Sequence, residues 1–124
     1  MPVTDPRPAL DGNVVRGSRC TACAIADAWE RERCPRCLGS SEPCAFGPAG
    51  VVWSSAEVHL AVGHREAPYT LAYVDLMGAD GPGPRVLARL LPGGEVPPGT
   101  TVEIIGDDHG DIAVTVAPTT GGPQ

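Results

Sequence analysis

The sequence is poor in positive charge and in aromatic side chains, and it has no long apolar run. It contains no lysine, its nine basic residues are all arginine, and its formal net charge is −6. Nucleic-acid binders neutralise phosphates with basic groups and often stack bases on aromatic rings. With 4% aromatic residues, this balance disfavours a nucleic-acid partner. No stretch approaches the roughly 18 apolar residues of a membrane helix, so we expect no membrane association.

Four of the five cysteines form two C-x-x-C knuckles, Cys20–Cys23 and Cys34–Cys37, with ten residues between them. Each knuckle directs two thiolates toward one point, and two facing knuckles make the closed tetrahedral site typical of structural zinc. Because a closed site has no open position for water or substrate, this zinc is expected to stabilise the fold. A rubredoxin-like iron site and a pair of disulfides are the alternatives.

The redox compartment follows from the same cysteines. The N-terminal residues show no charged-then-apolar leader pattern, and adjacent C-x-x-C pairs are poorly suited to disulfides. Thiolate metal sites are typical of reducing compartments. We therefore expect a cytoplasmic protein.

The chain is expected to be mainly β and to have two folded parts. Residues 1–16, rich in proline, are predicted to be an extended N-terminal arm, and residues 17–44 a rubredoxin-like zinc ribbon. Residues 45–118 are predicted to form a small five-stranded OB-fold barrel. A flexible tail is expected over 119–124.

The barrel prediction depends on alternating apolar residues and on the turn residues between them. The predicted strands are 51–62, 69–77, 85–91, 101–105 and 112–117, with a proline-rich connection over 92–99 after the third. In the first strand, Val52, Ala56 and Leu60 are expected to face inward, and Trp53 and His59 outward. All fourteen prolines are expected outside the strands, because proline cannot donate to a ladder.

Six segments, in chain order, carry a resemblance to one family. They are Gly17–Cys23, Arg33–Ser40, Gly50–Ser54, Val58–His59, Ala67–Leu76 and Arg85–Leu90. Together they resemble the acyl-CoA-associated family that joins a zinc ribbon to an OB-fold barrel, long filed as a domain of unknown function. The resemblance covers about residues 17–117. Ala24 and Leu38 depart from it, since the family often has glycine after each knuckle.

The resemblance implies an accessory subunit of a thiolase-fold enzyme. Members of the family accompany acetoacetyl-CoA thiolase, acyltransferases of phenolic polyketides, and lipid-transfer-type thiolases that act as aldolases in steroid side-chain breakdown. Their barrel helps to form or cover the acyl-CoA channel, whereas the partner carries the nucleophile and the bases. The implied partners are therefore a thiolase-fold subunit and the acyl-CoA that it shares.

No residue of this chain is expected to be catalytic. His59, with Glu57 nearby, meets only the minimum for acid–base work, and no nucleophile motif or phosphate-binding glycine loop occurs. Cys44 is expected to be a small hydrophobe at the junction of ribbon and barrel.

The residues expected to contact the partner or acyl-CoA lie in the barrel. They are Trp53, His59, Arg65, Arg85 and Arg89, the last two on one face of the third strand. A nucleic-acid-binding ribbon–barrel protein and a small iron–tetrathiolate electron carrier are the alternative functions.

Overall fold

The computed structural model describes residues 8–60, 66–79 and 81–117. These residues contain eight strands and no helix, so none of them forms a helix long and apolar enough to cross a membrane. The strands are β1 (Ala9–Asp11), β2 (Val14–Cys20), β3 (Ala26–Asp27), β4 (Ser41–Val58), β5 (Tyr69–Gly78), β6 (Gly81–Leu90), β7 (Thr101–Asp108) and β8 (Asp111–Val116).

Strands β4 to β8 close into a five-stranded barrel. Their order around the barrel is β4-β5-β6-β8-β7, and β7 pairs back with β4 through Ala49–Glu103 and its neighbours. All pairings are antiparallel except that of β6 with β8. This is the topology of the OB-fold, and it confirms the predicted mainly β fold of ribbon and barrel.

Alternation along these strands places a continuous apolar cluster inside the barrel. Side chains at every second position point inward, and burying them removes apolar surface from water at about 25 cal/mol per Å². The connection between β6 and β7 also contacts the cluster through Val96, whose backbone N–H and carbonyl both bond with the Ser55 hydroxyl. The cluster's largest members are Val15, Phe46, Val52, Val74, Leu76, Val86, Leu90, Val102, Ile104, Ile112 and Val114.

The ribbon and the barrel share strand β4. Its first residues, Ser41 to Phe46, pair with β2 of the ribbon, and its later residues pair with β5 of the barrel. Strand β2 in turn pairs with the short strands β1 and β3. Consequently the predicted boundary at 44/45 falls inside β4, and the one at 16/17 falls inside β2.

The expectation that all prolines lie outside strands is wrong. Pro43 and Pro48 lie in β4, and Pro82 and Pro84 lie in β6. Pro48 sits at the register shift between Phe46 and Gly50. The other three lie where their strand has a neighbour on one side only, and there a missing N–H breaks no ladder bond.

The inward assignment of Ala56 and Leu60 is also wrong, because both are exposed. Val52 is fully buried as predicted, but the pairing of β4 with β5 shifts register between Val52 and Ser54. Such a bulge adds one residue to one strand and reverses the alternation beyond it. Residues after the bulge therefore do not follow the pattern set by Val52.

Candidate metal centre and outer face of the barrel

The four knuckle cysteines converge on one point of the ribbon. Their sulfur atoms all lie within 4.8 Å of one another. The Sγ atoms of Cys20 and Cys37 are 3.4 Å apart, and those of Cys23 and Cys34 are 3.7 Å apart. Both distances are far longer than a disulfide bond of about 2.05 Å, and all five cysteines are free.

The two knuckles have the same backbone structure. In the first, the amides of Ala22 and Cys23 point at the Cys20 sulfur at 3.3 and 3.4 Å, and the Ala24 amide donates to the Cys20 carbonyl. In the second, the Arg36 amide points at the Cys34 sulfur at 3.4 Å, and the Leu38 amide donates to the Cys34 carbonyl. Amide donors of this kind stabilise thiolates.

Each knuckle closes with a residue in the left-handed region. Ala24 has a φ of 65° and Leu38 a φ of 64°. Glycine adopts this conformation freely, whereas other residues do so at a cost of about 1–2 kcal/mol. Ala24 and Leu38 therefore place strain at the end of each knuckle, where glycine would be unstrained.

The proton affinities of the sulfurs show that the cluster is suited to a cation. The Cys23 amide, against the effect of burial, lowers the pKa of Cys20 to about 6. The amides of Cys37 and Arg36 likewise lower the pKa of Cys34. The Gly39 amide acts in the same sense at Cys37, but the neighbouring sulfurs outweigh it and raise the pKa of Cys37 to about 12. Without a cation, the four thiols therefore cannot all be deprotonated, because their negative charges repel one another.

The donor set fits a tetrahedral thiolate metal site. In a tetrahedron with metal–sulfur bonds of about 2.3 Å, the sulfurs lie about 3.8 Å apart, close to the spacing found here. Cys20 and Cys34 are buried, while Cys23 and Cys37 are exposed. These four residues can hold a metal ion at the edge of the ribbon.

A second feature lies on the outer face of β4, β5 and β6. Trp53 and Tyr73 pack edge to face, with ring centroids 6.2 Å apart, although they are 51% and 46% exposed. The Arg85 guanidinium lies 4.1 Å from the Trp53 ring centroid. Leu87, also exposed, is the cross-strand neighbour of Tyr73. We call Trp53, Tyr73, Arg85 and Leu87 the aromatic face.

The two arginines of β6 are both paired with acids of this chain. Arg85 makes two hydrogen bonds with the Asp75 carboxylate, of 2.7 and 3.1 Å, which raise the pKa of Arg85. Arg89 forms an ion pair with Asp108 and lies 5.8 Å from the Tyr69 ring centroid. Arg85 and Arg89 do share one face of the strand, but their charges are already compensated.

A cleft of about 480 Å³ adjoins the aromatic face. Its lining includes Pro8 and Trp29, which precede the barrel, and Tyr73, Arg85 and Leu87 of the aromatic face. Arg89 lies in its wall. Its lining is mostly apolar, so it suits an apolar group better than a charged one.

His59, also predicted to contact the partner or acyl-CoA, is not a member of the aromatic face. His59 follows the end of β4 and is exposed, with its Nε2 3.2 Å from the Glu57 carboxylate. Arg65 lies outside the described residues. Cys44 is partly buried and packs against the core cluster.

Sequence reasoning missed Tyr73, Leu87 and Trp29 as members of an exposed apolar surface. The alternation of side chains along β5 and β6 is enough to predict that Tyr73 and Leu87 point outward. Their adjacency needs the register Tyr73↔Leu87. The pairing of Asp75 with Arg85 could not be predicted either, because it depends on the same strand register, in which the two residues are cross-strand neighbours.

The fold and the cysteine cluster define a two-part protein, a zinc-ribbon-type metal module joined to an OB-fold barrel. The chain is similar to a solved structure described as "Ltp2-ChsH2(DUF35) aldolase", with a TM-score of 0.63 and 21% identity. The match covers 90% of this chain and 100% of that chain. No family model and no curated protein matches the sequence. At this identity the likeness shows the shared fold.

Proposed function

We propose that this protein is a non-catalytic accessory subunit that binds a thiolase-fold enzyme and helps to form or close its acyl-CoA site. The aromatic face is the observation that carries the proposal. It places an exposed tryptophan, tyrosine and arginine next to one another on the outside of the barrel. These three residue types dominate the binding energy of protein interfaces.

The charges on this face favour a protein partner over a polyanion. OB-folds commonly bind oligonucleotides on the face of their second and third strands, which here are β5 and β6. A nucleic-acid site needs free cations beside its aromatic rings. Arg85 and Arg89 are each paired with an aspartate, which leaves this face close to neutral. By the same argument, we place the phosphates of CoA on the partner.

The proposed role in the reaction is positioning. The barrel would cover the acyl channel, exclude water and hold the partner's loops around the substrate arm. The chemistry would be carbon–carbon bond making or breaking on acyl-CoA thioesters. Thiolysis or condensation, acyl transfer and retro-aldol cleavage of steroid side chains are the reactions that the family resemblance suggests. We further propose a cytoplasmic location.

The proposed metal is zinc. Four thiolates in a closed set suit an ion with no redox role and no open coordination position. The ion would hold the two knuckles together and so fix the ribbon against the barrel. Metal analysis of the purified chain tests this directly: one zinc per chain is expected, whereas a red protein containing iron contradicts it.

The partner is tested by affinity capture. The tagged, zinc-loaded chain is incubated with lysate of its own organism, and the retained proteins are identified by mass spectrometry. A thiolase-fold enzyme in stoichiometric amount is expected. The Trp53→Ala/Tyr73→Ala variant should lose it, whereas Ile105→Ala, which truncates an exposed apolar side chain of β7, should retain it. Capture of nucleic acid, or a partner fully active without this chain, contradicts the proposal.

A further inference from the structure

Strand β4 passes from the ribbon to the barrel at Phe46, the only phenylalanine of the chain. Phe46 pairs on one side with Val15 of β2 and on the other with Gly78 of β5. Its side chain is fully buried. This residue therefore lies between ribbon strand β2 and barrel strand β5.

Three glycines make room for this ring. A Cβ atom on Gly17 of β2 would lie 3.1 Å from a carbon of the Phe46 ring, and one on Gly78 of β5 would lie at the same distance. A Cβ on Gly83 of β6 would lie at 2.8 Å. Ribbon and barrel thus enclose the ring from both sides, and a close-packed contact of this kind transmits displacements.

Arg19 joins the same junction to the metal site. Its guanidinium lies 5.5 Å from the centroid of the Phe46 ring. Nη1 donates to the carbonyl of Ala24 at 2.9 Å, and Nη2 donates to the carbonyl of Pro82 at 3.0 Å. Ala24 closes the first cysteine knuckle, and Pro82 follows the turn between β5 and β6. One side chain therefore bonds the backbone of the metal site and that of the barrel hairpin.

We propose that Arg19 is a positioning residue that couples metal binding to the β5–β6 hairpin. Metal in the knuckles holds the Ala24 carbonyl in place, Arg19 passes this constraint to Pro82, and the hairpin is rigid only when the metal is bound. The hairpin strands carry Tyr73, Arg85 and Leu87, so metal occupancy also sets the order of the aromatic face. The inference rests on the proposed metal site and not on the proposed partner.

The guanidinium group suits this bridge because its donors lie in one rigid plane. Two of its nitrogens donate to two carbonyls in different parts of the chain, while its central carbon lies over the Phe46 ring. An ammonium is a point charge that cannot do all three. Coupling between two sites is also reciprocal, so loss of the bridge must weaken metal binding as well as loosen the hairpin.

The test compares zinc-loaded wild type, Arg19→Met, Arg19→Lys and Arg16→Met. Arg16 is a matched control, because it lies on the same strand, is 55% exposed and makes a long ion pair with Asp11 at 3.8 Å. Two quantities are measured: the rate of zinc release to an excess of a chromogenic chelator, and hydrogen exchange of the amides of Met77 and Gly83, which flank the hairpin turn.

Both Arg19 variants are expected to release zinc about tenfold faster than wild type, the usual size of such a coupling. They should also exchange the hairpin amides faster, whereas Arg16→Met should match wild type within about twofold in both measurements. Arg19→Lys retains the positive charge and an aliphatic side chain that can pack on Phe46. It is therefore expected to fold, and it provides the test if Arg19→Met does not. Zinc release at the wild-type rate in Arg19→Lys overturns the bridge. Absence of zinc from the wild type instead overturns the metal site, before any variant is compared.

Discussion

The Arg85 guanidinium lies 4.1 Å from the centroid of the Trp53 ring while it makes two hydrogen bonds with the Asp75 carboxylate. The Arg85–Asp75 ion pair holds the guanidinium against the Trp53 ring, so both side chains have a fixed position on the surface. Preorganised aromatic and arginine side chains lose little entropy on binding, which favours their use in an interface. This arrangement leads to the first two predictions.

Truncation of the aromatic face should weaken partner binding without loss of stability. Trp53→Ala is expected to raise the dissociation constant for the captured enzyme by about 30-fold, since buried tryptophans of interfaces contribute about 2 kcal/mol or more. The melting temperature should change little because half of the side chain is exposed. Titration calorimetry measures the first and thermal unfolding the second. Equal affinity of Trp53→Ala and the control Ile105→Ala contradicts the prediction.

Removal of the carboxylate charges that pair with Arg85 and Arg89 should create an anion-binding site on this face. The Asp75→Asn/Asp108→Asn variant leaves Arg85 and Arg89 without carboxylate partners, and uncompensated arginines bind phosphate and sulfate groups. We expect this variant to be retained on heparin in a salt-dependent manner and the wild type to flow through. The Glu42→Gln/Asp107→Asn variant, which makes the same change in net charge but leaves the Arg85–Asp75 and Arg89–Asp108 pairs intact, is the control. Retention of both variants would show that net charge alone is responsible.

Glycine after each knuckle should stabilise the protein. Ala24→Gly and Leu38→Gly relieve the left-handed strain, and the gain is partly offset by the greater entropy of glycine in the unfolded chain. The net gain in unfolding free energy is expected to be about 0.5–1 kcal/mol at each site. Leu38 is 68% exposed, so its loss removes little packing.

Ala22→Gly is the matched control for the knuckle variants. Ala22 lies in the same turn without a positive φ, so glycine there should lower stability. Urea unfolding of the metal-loaded proteins measures all three. A loss of stability in Ala24→Gly comparable to that in Ala22→Gly contradicts the strain argument.

Metal affinity should rise with pH. In the metal-free chain the pKa of Cys37 is raised to about 12, so Cys37 carries a proton at neutral pH, and metal binding must displace it. The metal-free state binds more protons, and acid therefore favours metal loss. Affinity should rise about tenfold per pH unit for each proton displaced. The dependence should steepen below pH 6, where Cys20, with its pKa lowered to about 6, also takes a proton.

Chelator competition between pH 5.5 and 8.5 measures this dependence. Cys44→Ser is the control, since Cys44 lies outside the cluster and should leave stoichiometry and pH profile unchanged. Cys34→Ser, in contrast, should lose tight binding. An affinity independent of pH would falsify the assignment of these thiols as ligands.

The convergence of the four cysteines was predicted correctly from the sequence because C-x-x-C is a local motif. The knuckle turn positions two sulfurs within four residues, so its geometry depends little on the rest of the chain. The alternation of apolar residues likewise predicted the other four barrel strands to within a few residues, but it missed the first part of β4, which begins at Ser41 and not at residue 51. It failed beyond Trp53, where the bulge opposite Val74 changed which side chains point inward.

The sequence by itself determined the four-cysteine cluster, the mainly β class and the succession of the barrel strands along the chain, because these follow from local turns and from side-chain periodicity. Only the tertiary structure decided which side chains meet across strands. Asp75 compensates Arg85, Tyr73 lies beside Leu87, and Arg19 reaches Pro82 from 63 residues away. These contacts depend on strand register and on closure of the barrel, which are set by the packing of the whole core.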